Sequence, residues 1–198
     1  YYTDRQINGV IYTEKCKRKG IIHDCLDDKS IYELRNIRIA DISCGCGGFL
    51  IDVAEYLHVR TGKLYRDIFY DNIFGIDIQA YSVERTQLLL SLIALQYGED
   101  KNHFFRVECA DALKLDSANM PTFDVVVGNP PYVRARNLSV EVRKQIANFE
   151  VSQLGNSDLY ITFFQIAVEC LRNGGKIGYI TMNSFLSSLN GRLLREYF

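Results

Sequence analysis

The tetrapeptide Asn129–Tyr132, which reads Asn-Pro-Pro-Tyr, holds the residues best suited to chemistry. It follows the β-branched run Val125–Val127, which predicts a buried strand. Each proline fixes its own φ at about −65° and keeps the preceding residue extended. The loop therefore holds the Asn129 side chain and the Pro130 carbonyl as two fixed acceptors, which suit the two hydrogens of a planar NH₂ group. The ring of Tyr132 offers a flat surface beside them.

A glycine-rich turn, Cys44–Gly48, follows an earlier predicted strand and opens a predicted helix. Glycines allow the backbone to approach a ligand closely. The turn lacks the third glycine of a dinucleotide fingerprint, because Leu50 stands at that spacing. Two interpretations stay open at this point: a ligand-binding loop, or an ordinary tight turn between a strand and a helix.

Acidic residues stand at the ends of the first three predicted strands, namely Asp41, Asp77 and Asp111. Ligands of parallel sheets bind at the carboxyl ends of the strands, so we expect these residues to share one rim with Asn129. Asp77 could accept from both ribose hydroxyls and Asp111 from an adenine amino group. The alternatives are a helix N-cap for Asp77 and a turn residue for Asp111. An adenosine-bearing ligand without a pyrophosphate suits this rim, and S-adenosylmethionine is the natural candidate cofactor.

Strands and helices alternate along the chain, which predicts an α/β fold with a mostly parallel, Rossmann-like sheet and helices on both faces. The predicted strands are Arg38–Ile42, Asn72–Ile78, Phe104–Cys109, Phe123–Val127 and Lys176–Thr181. The predicted helices are 13–26, one that follows the glycine turn, 81–97, 158–171 and 187–198, with Gly174-Gly175 ending the fourth. Residues 133–157 are predicted to form a long polar connection, a kind of segment that is often either a functional lid or disordered.

The composition suits one domain of 198 residues and opposes a broad basic surface, since the net charge is −1 and the pI is about 6.4. Basic clusters at 15–19 and 134–144 are interpreted mainly as solvated faces. Six cysteines without a CxxC pair indicate reduced thiols and a cytoplasmic protein, and no metal site is predicted. No signal peptide or membrane-spanning run is visible in the sequence.

On these motifs the chain resembles the γ-class N6-adenine DNA methyltransferases of restriction-modification systems. Asp41–Leu50 is similar to the family's cofactor loop, with Ile42 where proline is usual. Tyr12-Thr13 resembles the segment that contacts the cofactor's methionine moiety, although Glu14 replaces a proline. Asn129–Arg134, Asp158–Tyr160 and Gly174–Gly178 also fit the family, and the cofactor loop precedes Asn-Pro-Pro-Tyr as in the γ class.

The resemblance implies a class I S-adenosylmethionine-dependent methyltransferase fold. It also implies site-specific transfer of a methyl group to N6 of an adenine flipped out of double-stranded DNA. Asn129, Pro130 and Tyr132 are then catalytic, and Arg134 and Arg136 are candidate DNA contacts. The implied cofactor-binding residues are Tyr12, Thr13, Asp41, Cys44, Gly45, Gly47, Asp77, Ile78, Asp111 and Ala112. Because Ala112 replaces a frequent aromatic residue, Ile78 is expected to carry more of the adenine packing.

The resemblance also divides the chain into a helical segment with a cofactor-binding motif, 1–36, and a methyltransferase core, 37–198. Related domains continue past the segment that resembles Leu193–Phe198, so we expect the core to be incomplete and the target-recognition domain to be absent. A restriction endonuclease or specificity domain of the same system is an expected partner, and no membrane partner is expected.

Three other functions stay open. The same loop could serve a methyltransferase of protein glutamine or of RNA, because it suits any planar NH₂ group. An incomplete core could instead be a non-catalytic cofactor- or DNA-binding module. A dinucleotide-dependent oxidoreductase is opposed by the absent third glycine. Tyr12-Thr13 and the long connection after Tyr132 favour DNA as the substrate.

Overall fold

A computed structural model describes residues 13–100, 102–115, 121–153 and 157–198. Within these ranges five strands form one sheet in the order β3-β2-β1-β4-β5, and every neighbouring pair is parallel. The strands are β1 Ile39–Asp41, β2 Ile73–Asp77, β3 Val107–Cys109, β4 Phe123–Gly128 and β5 Leu171–Tyr179. The predicted α/β class is confirmed. The strand order reverses between β1 and β4, which is where such sheets bind ligands.

Helices cover both faces of the sheet. Within the described ranges they are α1 Lys15–Leu26, α2 Ile31–Asn36, α3 Gly48–Thr61, α4 Tyr65–Asp71, α5 Ala80–Gln96, α6 Val140–Ile146, α7 Leu159–Cys170 and α8 Arg192–Tyr197. Ile39 and Val125 pack with α1, α3 and α5, whereas the alternate residues Ala40 and Val126 pack with α7. Internal parallel strands are buried on both faces, which explains the unbroken apolar run before Asn129.

The predicted role of Gly174-Gly175 as the end of a helix is wrong. The helix α7 ends at Cys170, and β5 begins at the next residue. The register pairs Phe123 with Leu171 but Val125 with Lys176, so the residues between them form a bulge. Gly174 has a φ of 78° there, which a glycine adopts without steric cost. The two glycines therefore belong to an irregular strand edge.

The connection after Tyr132 is more ordered than the sequence indicated. It contains α6, whose first turn is capped by the Ser139 hydroxyl, which accepts from the Val142 amide at 3.2 Å. Leu138 and Ile146 from this segment pack together with Val133 in a small core. The last predicted helix is shorter than expected, since α8 begins only at Arg192.

Two short helices, α2 and α4, were not predicted. A capping box at Ser30 and Glu33 was the available signal for α2. The Ser30 hydroxyl accepts from the Glu33 amide, and the Glu33 carboxylate accepts from the Ser30 amide. Across the described part of the chain, no helix has the length and apolar character needed to cross a membrane.

Candidate active site

The carboxyl ends of β1, β2, β3 and β4 meet at a cavity of about 480 Å³. Such a volume falls in the range of small-molecule sites. The predicted site residues that line it are Thr13, Asp41, Cys44, Gly45, Asp77, Ile78, Asp111, Ala112 and Asn129. The predicted residues outside its lining are Gly47, Pro130, Tyr132, Arg134 and Arg136. Tyr12 lies outside the described residues.

The glycine turn is held in shape by side chains from two neighbouring elements, β2 and α5. The Gly45 amide donates to Asp77 Oδ2 at 2.9 Å, and the Gly45 carbonyl accepts from the Thr86 hydroxyl at 3.0 Å. The other carboxylate oxygen of Asp77 accepts from the Gln79 amide at 2.9 Å. Since Gln79 is the N-cap of α5, the alternative that Asp77 caps this helix is wrong. Asp77 fixes the turn and borders the cavity at the same time.

Gly47 helps to determine the shape of the turn, although it does not line the cavity. Its φ is 76°, in the left-handed region. A Cβ atom at this position would lie 2.5 Å from Thr86 Cγ2, so α5 leaves no room for a side chain. The close approach of α3 to α5 therefore depends on this glycine.

Asp41 is buried between the glycine turn and the end of β4. Its Oδ1 atom accepts from the Ser43 amide at 3.1 Å. Burial raises the pKa of Asp41 to about 7, the Ser43 hydrogen bond acts in the opposite direction, and the charge of Asp77 adds to the increase. A Cβ atom on Gly128 would lie 2.8 Å from Asp41 Oδ1, so the residue before Asn129 must be small to pass the carboxyl group.

Asp111 fills the turn role that the sequence left open for it. Its Oδ1 atom accepts from the Leu113 amide at 3.1 Å and so caps a single 3-10 turn. Its side chain also borders the cavity, with Ile78 nearby on the lining. Ile78 is 67% exposed, which leaves its side chain open to a flat ligand.

Asn129 is tied to the amino-terminal part of the chain. Its Nδ2 atom donates to the Thr13 hydroxyl at 3.0 Å, across 116 residues of sequence. The Tyr132 hydroxyl donates to the Ile180 carbonyl at 2.6 Å, which fixes the ring's orientation. Burial raises the pKa of Tyr132 to about 12, so the phenol keeps its proton at neutral pH.

The start of α7 holds the segment that follows the Asn-Pro-Pro-Tyr loop. Asp158 Oδ1 accepts from the Ala135 amide at 2.9 Å, and the Leu159 amide donates to the Val133 carbonyl at 3.0 Å. This gives the Asp158–Tyr160 motif a structural task beside the Asn-Pro-Pro-Tyr loop.

The segment around α6 forms one wall of the cavity, and sequence reasoning missed it. Leu138, Val142 and Gln145 border the cavity. The spacing of Leu138, Val142 and Ile146, one residue in four, was a helical signal within a polar stretch. The helix α6 and the residues just before it therefore form this wall of the cavity.

Arg18 is a second residue whose role the sequence did not reveal. It was grouped with a solvated basic cluster, yet it borders the cavity. Its Nε atom donates to Asp52 Oδ2 at 2.6 Å, while its neighbour Lys17 is exposed. The pattern of charges in the sequence did not indicate that Asp52 is the buried partner of Arg18.

Arg134 and Arg136 are exposed, and neither side chain has a hydrogen bond or ion pair with residues that the structure describes. They are therefore accessible to an anionic partner. The described ranges hold no group of three or more His, Cys, Asp or Glu side chains that could bind a metal ion.

Residues 71–198 match the model of the protein family described as Eco57I restriction-modification methylase. The type II methyltransferase M.XhoI of Xanthomonas vasicola is 37% identical over 204 residues, which cover 94% of this chain and 36% of M.XhoI. The type II methyltransferase M.BstVI of Geobacillus stearothermophilus is 29% identical over 211 residues, which cover 97% of this chain and 36% of M.BstVI. The chain thus spans about a third of the length of these two relatives.

Two further similarities concern substrate and fold. A release factor glutamine methyltransferase of Flavobacterium psychrophilum is 26% identical over 180 residues, which cover 86% of this chain and 54% of that protein. A Listeria monocytogenes structure described as a class I S-adenosylmethionine-dependent methyltransferase superposes with a TM-score of 0.69 and 14% identity, covering 97% of this chain and 52% of that one. This likeness establishes the class I fold predicted from the sequence.

Proposed function

This chain belongs to the Eco57I restriction-modification methylase family, and on that basis we propose that it methylates N6 of adenine in double-stranded DNA. In this proposal the methyl group comes from S-adenosylmethionine, and the reaction is site-specific within a restriction-modification system. One observation carries the proposal: a single cavity is bordered by Asp77, Asp111 and Asn129. Groups suited to an adenosine and a group suited to an amino substrate therefore face the same space.

The residues around the cavity fit S-adenosylmethionine. Asp77 would accept from the ribose hydroxyls, and Asp111 and Ile78 would hold the adenine. Thr13 and the glycine turn would hold the methionine moiety. The first turn of the 14-residue helix α3 borders the cavity through Gly48 and Phe49. The partial positive charge at this helix end suits the carboxylate of the cofactor.

When bound, S-adenosylmethionine supplies an electrophilic methyl group on a positively charged sulfur. The Asn129 side-chain oxygen and the Pro130 carbonyl accept the two hydrogens of the substrate NH₂ group. This draws the nitrogen toward tetrahedral geometry and frees the lone pair that the adenine ring otherwise delocalises. With the NH₂ group held by Asn129 and Pro130, this lone pair would take up the methyl group, the sulfur would keep the electrons of the broken C–S bond, and one N–H proton would pass to solvent. Positioning of well-oriented groups can supply roughly 7–11 kcal/mol of such a barrier.

Tyr132 supports the flipped base in this proposal. A base must leave the duplex to reach a loop at the end of a sheet. The Tyr132 ring, oriented by its hydrogen bond to the Ile180 carbonyl, would stack on it. Such a stack contributes roughly 1–3 kcal/mol. The exposed side chains of Arg134 and Arg136 would contact phosphates beside the flipped base.

Asn129→Ala tests the assignment of the acceptor. We expect kcat for DNA methylation to fall by about 100-fold or more, because preorganised groups of this kind contribute that much. Affinity for S-adenosylmethionine, measured by calorimetry, should stay close to that of the wild type. Asn148→Ala, an exposed asparagine after α6, is the matched control. A near-wild-type rate in Asn129→Ala would refute the assignment.

The second candidate is methylation of a protein glutamine, which the similarity to the release factor glutamine methyltransferase favours. A glutamine side chain presents the same planar NH₂ group as adenine. Family membership and the exposed arginines after Tyr132 favour DNA. A restriction endonuclease or specificity domain as partner, the division at residue 36 and a cytoplasmic location remain predictions of the same proposal.

A further inference from the structure

A series of polar contacts runs from Asn129 to residues of α1 and α3. The proposed reaction gives no role to Arg18 and Asp52, the members of this series farthest from Asn129. Arg18 donates from Nε to Asp52 Oδ2 at 2.6 Å and from Nη1 to the Thr13 carbonyl. The Thr13 hydroxyl accepts from Asn129 Nδ2 at 3.0 Å. Asp52, Arg18, Thr13 and Asn129 are thus joined in series.

The guanidinium of Arg18 is enclosed on the side of the cofactor loop. A Cβ atom on Gly48, the first residue of α3, would lie 3.2 Å from Arg18 Cζ. The Arg18 side chain is 17% exposed, and that of Asp52 is fully buried. Lys15 is 3.9 Å from the other oxygen of Asp52, but its side chain is 55% exposed. Arg18 is therefore the close partner of the buried carboxylate.

We propose that Arg18 is a positioning residue for Asn129 and acts through Thr13; this inference rests on the proposed methyl transfer. The planar guanidinium carries several donors in fixed directions, so it binds Asp52 and the Thr13 carbonyl together. A fixed Thr13 backbone fixes the position of its hydroxyl. Because the Asn129 amide is planar, the hydrogen bond that its nitrogen donates to the Thr13 hydroxyl determines where its oxygen points. That oxygen is the acceptor for the substrate NH₂ group.

The test breaks two successive links of this series in the full-length protein. Arg18→Lys keeps a positive charge beside Asp52 but replaces the fork with one ammonium group, so the Thr13 carbonyl loses its donor. Thr13→Val removes the hydroxyl that Asn129 contacts. Lys17→Met is the matched control, since Lys17 directly precedes Arg18 in α1 and pairs with an exposed Glu14.

The first readout needs neither cofactor nor substrate. In NMR spectra, Arg18→Lys and Thr13→Val are expected to shift the Asn129 side-chain NH₂ resonances in the same direction, and Lys17→Met to leave them in place. The double variant Arg18→Met/Asp52→Leu removes both charges and is expected to give the same shift. It keeps the comparison possible if Arg18→Lys unfolds. Wild-type Asn129 resonances in folded Arg18 variants would overturn the proposal.

The second readout separates positioning from general stability. We expect kcat for methylation to fall about tenfold in Arg18→Lys and in Thr13→Val, and no further when Arg18→Lys and Thr13→Val are combined, because coupled residues are not additive. Multiplied losses in this combined variant would overturn the proposal. A wild-type protein that methylates no DNA would refute the proposed function. The NMR comparison would still decide whether Arg18 determines the orientation of the Asn129 side-chain amide.

Discussion

Asp41 shows how one side chain constrains both loops of the candidate site. It accepts from the Ser43 amide in the glycine turn, and it lies close enough to Gly128 to exclude a larger residue before Asn129. Its position is determined by the central strand β1, which is buried on both faces. A buried carboxyl group in this place makes the stability of the fold depend on pH.

Asp41→Asn should remove part of the pH dependence of the stability of the fold. The pKa of Asp41 rises from 3.8 in the unfolded reference to about 7 in the fold, so within this window the folded state holds a proton that the unfolded state has lost. The contribution of Asp41 to the free energy of unfolding therefore falls with rising pH, by up to about 1.4 kcal/mol per pH unit. Asparagine stays neutral and can still accept from Ser43.

Urea denaturation at about pH 5 and about pH 8 checks this expectation. Relative to the wild type, Asp41→Asn should gain stability at the higher pH. Asp67→Asn, at an exposed position on α4, is the control and should show no such gain. A difference between Asp41→Asn and wild type that is the same at both pH values would contradict the pKa assigned to Asp41.

At the scale of elements, the glycine turn is formed by contacts within the protein. Asp77 at the end of β2 and Thr86 in α5 hold its backbone through one hydrogen bond each. The helices α3 and α5 approach closely because Gly47 has no side chain.

Gly47→Ala and Gly62→Ala separate backbone strain from crowding. Both glycines have a left-handed φ, 76° and 66°, but a Cβ atom at Gly62 would meet nothing within 4 Å. Gly62→Ala should cost about 1–2 kcal/mol of unfolding free energy. Gly47→Ala should cost a further 1–3 kcal/mol, roughly the effect of overpacking against Thr86. Equal costs in chemical denaturation would show that Thr86 does not crowd this position.

The elements predicted best from the sequence were the helices α1, α5 and α7, which begin and end within two residues of the expected bounds. The strands were predicted less closely, since β3 begins three residues later and β5 five residues earlier than expected. Asp41, Asp77, Asp111 and Asn129 were expected on one rim, and the structure places them around one cavity. The contacts that position these side chains could not be predicted from the sequence. The Asn129–Thr13 hydrogen bond spans 116 residues, and a lone threonine carries no signal of such a partner. The helix α6 was missed because its few apolar residues lie in a polar stretch.

For the molecule as a whole, charge limits how DNA can be held. The net charge of the 198 residues is −1, so no broad positive field attracts a polyanion. If the proposed function holds, exposed cations next to the Asn-Pro-Pro-Tyr loop must therefore supply a large share of the phosphate contacts that this chain makes. Arg134 and Arg136 have that position.

The salt dependence of DNA binding tests this distribution. Replacing both Arg134 and Arg136 with alanine in the full-length protein should reduce the slope of log K against log salt concentration by about two, one for each lost phosphate contact. Arg66→Ala is the control, because Arg66 is exposed on α4, which precedes β2 at the opposite end of the sheet. An unchanged slope in the double variant would remove both arginines from the DNA interface.

Analysis of the methylated product tests the central claim most directly. The full-length protein would be incubated with methyl-labelled S-adenosylmethionine in the presence of DNA, RNA and release factor, and each polymer would then be digested and analysed by mass spectrometry. We predict label in N6-methyldeoxyadenosine from DNA, and its loss in Asn129→Ala. Label in methylcytosine, in RNA or in a protein glutamine, with none in deoxyadenosine, would contradict the account.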